Sequence, residues 1–349
     1  MQSSIELKAG TDRQKSSPSI SVVMPVRNAL PFLDESIESI LNQTFKDFEF
    51  VILDDASTDG STARLREWAE RDERIRLYEA REKLDPSVIS NFVVRNARAS
   101  IIARMDADDI SHADRLMRQW EVIQSRPDVA LVGTLFEGID VKGRRVRRRD
   151  RWRLTRKSVF PPFPHGSVMF RREIFEEVGG YRKECDAWED LDLFVRIRKR
   201  ACVVVLTDAL YYYRFHVNSV TSNRSMERVA RAYRVRERCL AELRHGNDYT
   251  RLLTEVELNG NHNEALAYAL YLRGSMRLWA GHPPEVLKLL FEHKPLGFGT
   301  FHLRTLVWAT WGWLSPDSLR FFLRSFIRTR DLLASVHVKD GGIHEWRLE

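Results

Sequence analysis

The chain has 349 residues, 43% hydrophobic and 30% charged, which predicts two domains and excludes a collagen-like or broadly disordered chain. Its net charge of +7 is concentrated: residues 142–157 carry ten basic residues against Asp150 alone, so a uniformly nucleic-acid-coating protein is disfavoured. Cys185, Cys202 and Cys239 are the three cysteines, too few and too scattered for a disulfide scaffold or a thiolate zinc site, and they fit a reducing compartment.

Residues 1–18 are expected to be a flexible tail, and the opening MQSSIELKAGTDRQKSSPS has no apolar stretch of the kind a secretory leader carries. The β-branched run SISVVMPV (19–26) predicts a buried strand. Leu30, Leu33, Ile37, Ile40 and Leu41 follow at helical spacing. FEFVILDD (48–55) predicts a second strand ending in two aspartates, and Ser57 to Gly60 a turn. Leu65, Trp68 and Ala69 mark a helix face, IRLYEA (75–80) a third strand, 87–99 a helix and SIIARMDADD (100–109) a fourth strand ending in acid. This alternation predicts a doubly wound, mostly parallel sheet, which binds ligands at the carboxyl ends of its strands. Asp54-Asp55 and Asp106-Ala107-Asp108-Asp109 both fall at such ends.

From residue 129 the pattern changes to a strand and a hairpin turning at Lys142-Gly143. FPPFPHG (160–166) predicts a loop, GSVMF a strand, REIFEEVGG a helix and DLDLFVRIRKR (190–200) an amphipathic helix. VVVL and LYYYRFH close the region as strands. Beyond about 224 the text is helical.

Two carboxylates as close as Asp106 and Asp108 suit a hard divalent cation, Mg²⁺ or Mn²⁺, that shares its other positions with water and phosphate. Acids at a strand end also cap the next helix, a role open to Asp109 or Ser111 ahead of Ala113. Glu189, Asp190 and Asp192 read equally as a helix start favoured by the macrodipole. Trp188 is either a core aromatic or a stacking platform at a site.

The longer text is more specific. SVVMPVRNALPFLDESIESILNQTFKDFEFVILDDASTDGS, IARMDADDISHADRLMRQ, HGSVMFRREIFEEVGGYRK and WEDLDLFVRI together resemble family 2 glycosyltransferases over about residues 20–220. The resemblance implies a GT-A-like fold, a Rossmann-like α/β layer, that moves a sugar from a nucleotide-sugar donor with inversion. It implies a glycosyltransferase domain at 19–222, with a donor half at 19–110 and an acceptor half at 111–222; the basic hairpin or loop at 142–157 is read from the sequence itself and is longer and more charged than the family pattern. An α-helical C-terminal domain at 223–335 and a tail at 336–349 complete the expected organisation. Carried over position by position, Pro25, Val26, Arg27 and Asn28 lie along the nucleoside, and Asp54 and Asp55 near the base and ribose. Asn91, Arg95, Asp106, Ala107, Arg214 and Ser219 are implied on the donor side. Asp106, Asp108 and His216 are the implied ligands of Mn²⁺ or Mg²⁺. Asp190 is the implied catalytic base, with Glu189 as the fallback; beside it Trp188 is a candidate acceptor contact, and His165 is either structural or an acceptor contact.

The donor is expected to be a nucleotide sugar, UDP-linked by preference, and the acceptor a glycan or lipid-linked glycan of a surface polysaccharide or glycolipid. Residues 294–330 combine basic side chains with eight aromatics, which suits a membrane interface. With the run at 142–157, this predicts a cytoplasmic protein, peripheral on the inner face of the membrane, with no nucleic-acid partner. Two other readings stand beside this one: a nucleotidyltransferase that makes a nucleotide sugar, and a non-catalytic nucleotide-binding scaffold. Against the first, MPVRNALP lacks the glycines of a phosphate-gripping loop.

Overall fold

The computed structural model describes residues 5–9, 17–146, 163–185, 188–216, 219 and 342–345. The basic run beyond residue 146 and the expected helical domain at 223–335, including 294–330, lie outside the described residues.

The chain divides into two compact units, one of Met1–Glu137, Asp150–Tyr213 and Ser335–Glu349, the other of Gly138–Arg149 and Arg214–Ala334. In chain order the first elements are β1 (Ile5–Ala9), β2 (Ile20–Val26), α1 (Leu30–Leu41), β3 (Phe48–Asp54), α2 (Ser61–Arg71), β4 (Ile75–Ala80), α3 (Pro86–Arg95) and β5 (Ile101–Arg104). They are followed by β6 (Ile110–Ser111), α4 (Arg115–Ser125), β7 (Val129–Ile139), β8 (Met169–Arg171), α5 (Arg172–Glu177), α6 (Glu189–Arg198), β9 (Cys202–Arg214) and β10 (Ile343–Glu345). Among the described residues one sheet runs β1-β4-β3-β2-β5-β8-β7-β9-β10, with β6 paired to β9.

β4, β3, β2 and β5 are parallel; β1 and β8 join them antiparallel. The chain lays β3 on one side of β2 and returns to lay β5 on the other. The order therefore reverses between β2 and β5, the kind of crevice in which open α/β sheets take ligands. The strands are apolar on both faces, as helix-covered parallel strands must be. All seven residues of β3 are buried, and Ile20, Val22, Val23, Met24 and Val26 of β2 are at most 1% exposed. Pro25 lies beyond Val23–Arg104, the last register pair of β2 with β5, so its missing N–H falls where that ladder has ended.

Leu33, Ile37, Ile40 and Leu41 bury the inner face of α1, but Leu30, expected on that face, is 41% exposed at the helix start. The fourth strand is shorter than the sequence predicts. It ends at Arg104, because Ser36 of α1 donates to the carbonyls of Ala107 (2.9 Å) and Asp109 (2.6 Å) and bends the chain into a turn. Helix α4 starts at Arg115 with Asp114 as its N-cap residue, so neither Asp109 nor Ser111 holds that position. The expected N-terminal tail contains β1, whose Ile5–Ala9 pair with β4, and the expected C-terminal tail contains β10, paired with Val204–Leu206 of β9. Both are single short edge strands that local composition does not announce.

Candidate active site

The loops after β2 and β3 are laced together. The Asn28 N–H donates to Ser57 Oγ (2.9 Å), and Asn28 Oδ1 accepts from the Thr58 N–H (2.8 Å). The N–H groups of Ala29 and Leu30 reach Ser61 Oγ and Asp59 Oδ2, both at 3.0 Å. The first amides of α1 are thus satisfied from the neighbouring loop instead of by a side chain at its own N-cap, Ala29. Arg27 donates to the carbonyls of Asp55 and Ala56 from above. Asn28 and Ala56 both sit in the left-handed region at φ 50°. For alanine that conformation persists only where its surroundings impose it.

Asp54 is 1% exposed and accepts from Ser57 Oγ (2.5 Å) and Thr62 Oγ1 (2.6 Å). Asp55, 3% exposed, accepts from the Leu84 N–H (2.7 Å) and lies 3.6 Å from Arg27. Burial raises the Asp55 carboxyl above its ordinary value, opposed by the Leu84 amide and Arg27.

Asp106 follows β5 at the reversal point. Arg104, buried on β5, is ion-paired to it, and the Gly166 N–H donates to its carboxylate. Burial pushes the Asp106 carboxyl up; Arg104 pulls it down, and Asp108 adds to the rise. The Asp106 N–H donates to Tyr211 Oη at 3.3 Å. The turn His165–Ser167 packs so closely here that a Cβ on Gly166 would lie 1.9 Å from Tyr211 Oη and 2.7 Å from Asp106 Oδ2. Only glycine fits. Asp106 and Asp108 are both partly exposed, while Ala107 between them is buried. The oxygen-only donor pair suits a hard cation, whose charge would offset both burial and the repulsion of Asp108. Among the described residues no group of three or more His, Cys, Asp and Glu side chains surrounds one point, so further ligands would come from phosphate and water.

Three acids begin α6, and their environments separate them. Asp192 is buried against Arg196, at 3.0 Å to Nε and 2.5 Å to Nη2. Glu189 is buried, whereas Asp190 is partly open and accepts its neighbour Leu191's N–H at 2.8 Å. Tyr181, 3% exposed, lies in the field of Arg104, Asp190, Glu189 and Asp106. Burial raises its phenol above the ordinary value; Arg104 opposes this and the three carboxylates add to it.

The structure brings Pro25, Val26, Arg27, Asn28, Asp54, Asp55, Asp106, Ala107 and Asp108 to the carboxyl ends of β2, β3 and β5. Asn91 of α3 spends both ends of its amide on the backbone of Tyr181, and Arg95 is exposed in the last turn of α3. His165 Nε2 is 2.6 Å from Tyr181 Oη, and Trp188 is the N-cap residue of α6. Arg214, His216 and Ser219 belong to the second unit, where all three are buried and Arg214 donates to the Asp140 carbonyl at 3.1 Å. Sequence reasoning missed Arg104 and Tyr181. Their signals were an arginine two residues before Asp106 in an otherwise apolar strand, and an aromatic directly after Gly179-Gly180.

Comparison with known proteins adds independent findings. Residues 21–179 match the family model described as glycosyl transferase family 2. The chain is 33% identical over 190 residues to the putative glycosyltransferase EpsE of Bacillus subtilis (strain 168), covering 52% of this chain and 67% of that protein. It is 32% identical over 224 residues to the O-antigen biosynthesis glycosyltransferase WbnJ of Escherichia coli, covering 61% and 84%. Two solved structures share the fold. One is the mannosyltransferase PcManGT from Pyrobaculum calidifontis in complex with GDP-Man and Mn²⁺ (TM-score 0.55, 22% identity, 90% of this chain and 89% of that one). The other is S. aureus TarS 1–349 in complex with UDP-GlcNAc (TM-score 0.51, 17% identity, 78% and 89%). The strand-end carboxylates, the GT-A-like sheet and these relatives agree, and the chain belongs to glycosyltransferase family 2.

Proposed function

We propose that this glycosyltransferase moves one sugar from a nucleotide-sugar donor to an acceptor hydroxyl with inversion, in the assembly of a surface polysaccharide or glycolipid. The observation that carries the reading is the convergence of Asp54, Asp55 and Asp106 on the carboxyl ends of β3 and β5, with Asp190 the open acid of α6. Arg27, Asn28 and Asp54-Asp55 would cradle the nucleoside. Asp106 and Asp108 would hold Mn²⁺ or Mg²⁺. When bound, such an ion neutralises charge on the departing diphosphate as a Lewis acid.

Asp190 takes the proton of the attacking hydroxyl, as a carboxylate within reach of it can. Attack opposite the leaving group inverts the anomeric centre, and a single base suffices. Trp188, two residues before it and the N-cap residue of α6, would offer its ring face to the acceptor sugar. The polysaccharide pathway rests on likeness to WbnJ, and a nucleotide-sugar donor, UDP-linked by preference, on the family to which the chain belongs. A peripheral place on the inner face of the membrane belongs to the same proposal. No helix among the described residues is long and apolar enough to cross a membrane. Flotation of the protein with anionic vesicles supports that placement, and its absence from the floated fraction removes it.

Asp190→Asn tests the chemistry. The amide keeps the size and the Leu191 contact but cannot accept the proton. Turnover should fall by about 10²- to 10⁴-fold while nucleotide affinity stays near wild type. Wild-type turnover by this variant places the base elsewhere.

A further inference from the structure

Tyr181 has no role in the proposed chemistry, yet it is fixed more firmly than a loop residue needs to be. Its N–H donates to Asn91 Oδ1 (2.9 Å) and its carbonyl accepts from Asn91 Nδ2 (2.8 Å). The preceding turn is pinned from α6, where Arg196 donates to the carbonyls of Val178 (2.5 Å) and Gly180 (2.7 Å). Gly179 and Gly180 take φ of 84° and 68° there, and a Cβ on Gly180 would come 2.5 Å from Asn91 Oδ1. The tyrosine ring packs edge-on against Phe175 at 5.6 Å.

The hydroxyl end points to His165, whose Nε2 is 2.6 Å away. His165 faces two ways. Its ring packs edge-on against Phe194 of α6 (5.7 Å), the helix that begins with Glu189 and Asp190. The next residue, Gly166, gives its N–H to Asp106 and has no room for a Cβ between Asp106 and Tyr211. The His165–Gly166 turn is therefore a wedge between the strand end that carries Asp106 and the helix that carries Asp190.

We infer that Tyr181 is a positioning residue: by locking His165 through their hydrogen bond, it fixes the separation between the Asp106 carboxylate and the Asp190 helix. The inference rests on the proposed function, in which those two groups serve the leaving group and the nucleophile. Transfer in line needs both at once in register, and a misplacement of about 1 Å costs about 10²-fold in rate. This gives His165 a task that does not require it to touch the acceptor.

The test uses the full-length protein and four variants, Tyr181→Phe, His165→Leu, His165→Gln and the double Tyr181→Phe/His165→Leu, with Asp190→Asn as a control. Two measurements are made: thermal unfolding, and nucleoside diphosphate released from UDP-N-acetylglucosamine, UDP-galactose, UDP-glucose or GDP-mannose with Mn²⁺ and water as acceptor. Water leaves no glycan contact for His165 to make. Tyr181→Phe and His165→Leu should each lower kcat by about 10- to 100-fold, with KM for the donor unchanged. The double variant should be no slower and no less stable than the worse single, because both remove one shared bond. His165→Gln, which keeps a polar group near the Nε2 position, should restore most of kcat. Wild-type kcat in Tyr181→Phe, with Asp190→Asn inactive, overturns the inference and leaves the proposed function standing. Additive losses in the double variant, or a lowered melting temperature without a change in kcat, overturn it too. An active Asp190→Asn removes the proposed reaction and this inference with it.

Discussion

In the proposed donor site, Asp55 sets stability against nucleotide binding at a single residue. Its carboxyl is almost wholly buried and its pKa is raised, so the folded state favours the protonated form more than the unfolded chain does. The sign follows from linkage: the group adds stability below its unfolded pKa and loses it as pH rises through the higher folded one. At neutral pH the ionised Asp55 is thus a cost that Leu84 and Arg27 only partly offset. Asp55→Asn keeps an acceptor for the Leu84 N–H and removes the buried charge. Its melting temperature should exceed wild type at pH 7, and the gain should vanish below about pH 4, where wild-type Asp55 is itself protonated. Nucleotide affinity, read by calorimetry, should weaken. A variant no more stable at pH 7 than wild type contradicts this account. The placing of Asp54, Asp55, Asp106 and Asp190 at strand ends and a helix start was legible in the sequence, because carboxylates there stand out against apolar runs. The roles of Arg104 and Tyr181 were not legible, since each depends on a partner brought in by tertiary folding: Asp106 with Gly166, and His165 from beyond the masking prolines of FPPFPHG.

At the scale of elements, two features hold the sheet in the shape the site needs. Glu49 of β3, 1% exposed, accepts from Ser21 Oγ of β2 (2.6 Å), from the Arg98 N–H before β5 (2.6 Å) and from Arg76 of β4 (2.9 Å). One carboxylate thereby ties three neighbouring strands and the segment that leads into β5. Glu49→Ala leaves the Arg76 guanidinium and the Ser21 hydroxyl without it and should cost about 3–5 kcal/mol in chemical denaturation. A loss under about 1 kcal/mol, the range of an exposed pair, contradicts that reading. The second feature is the Gly166 turn. Gly166→Ala forces Tyr211 or Asp106 to move, and metal-dependent nucleotide binding should fall more than overall stability does; unchanged binding means the turn does not set Asp106. Strands β2, β3 and β4 and helices α1 and α2 were legible because their apolar residues are continuous or at helical spacing. The fourth strand was read too long, since nothing local shows Ser36 bending the chain at Ala107. The edge strands β1 and β10 were read as tails, because three to five residues of mixed polarity gain strand character only by pairing with β4 and β9.

At the scale of the whole molecule, segments from both ends of the sequence finish the sheet. β10 covers Val204–Leu206 of β9 and is fastened by Arg126–Glu345 (3.0 Å) and by Thr207–Gly342 (2.7 Å). An uncovered apolar edge invites pairing with another chain. Removing residues 342–349 should lower the melting temperature and give concentration-dependent self-association in light scattering; a truncated protein that stays as stable and dispersed as wild type contradicts the edge-covering role. On the proposed function, the carboxyl ends of β2, β3 and β5 form a donor site whose metal-dependent part is held by Asp106. The most direct measurement is thermal unfolding of wild type and Asp106→Ala with UDP, GDP, dTDP and CMP, each with and without Mn²⁺. A ligand that binds the folded state alone stabilises by about 2.7 kcal/mol at a hundred times its Kd. One nucleotide should raise the melting temperature, more so with Mn²⁺, and Asp106→Ala should lose the Mn²⁺-dependent part. No shift with any nucleotide, or the same shift in Asp106→Ala, contradicts the proposed donor site.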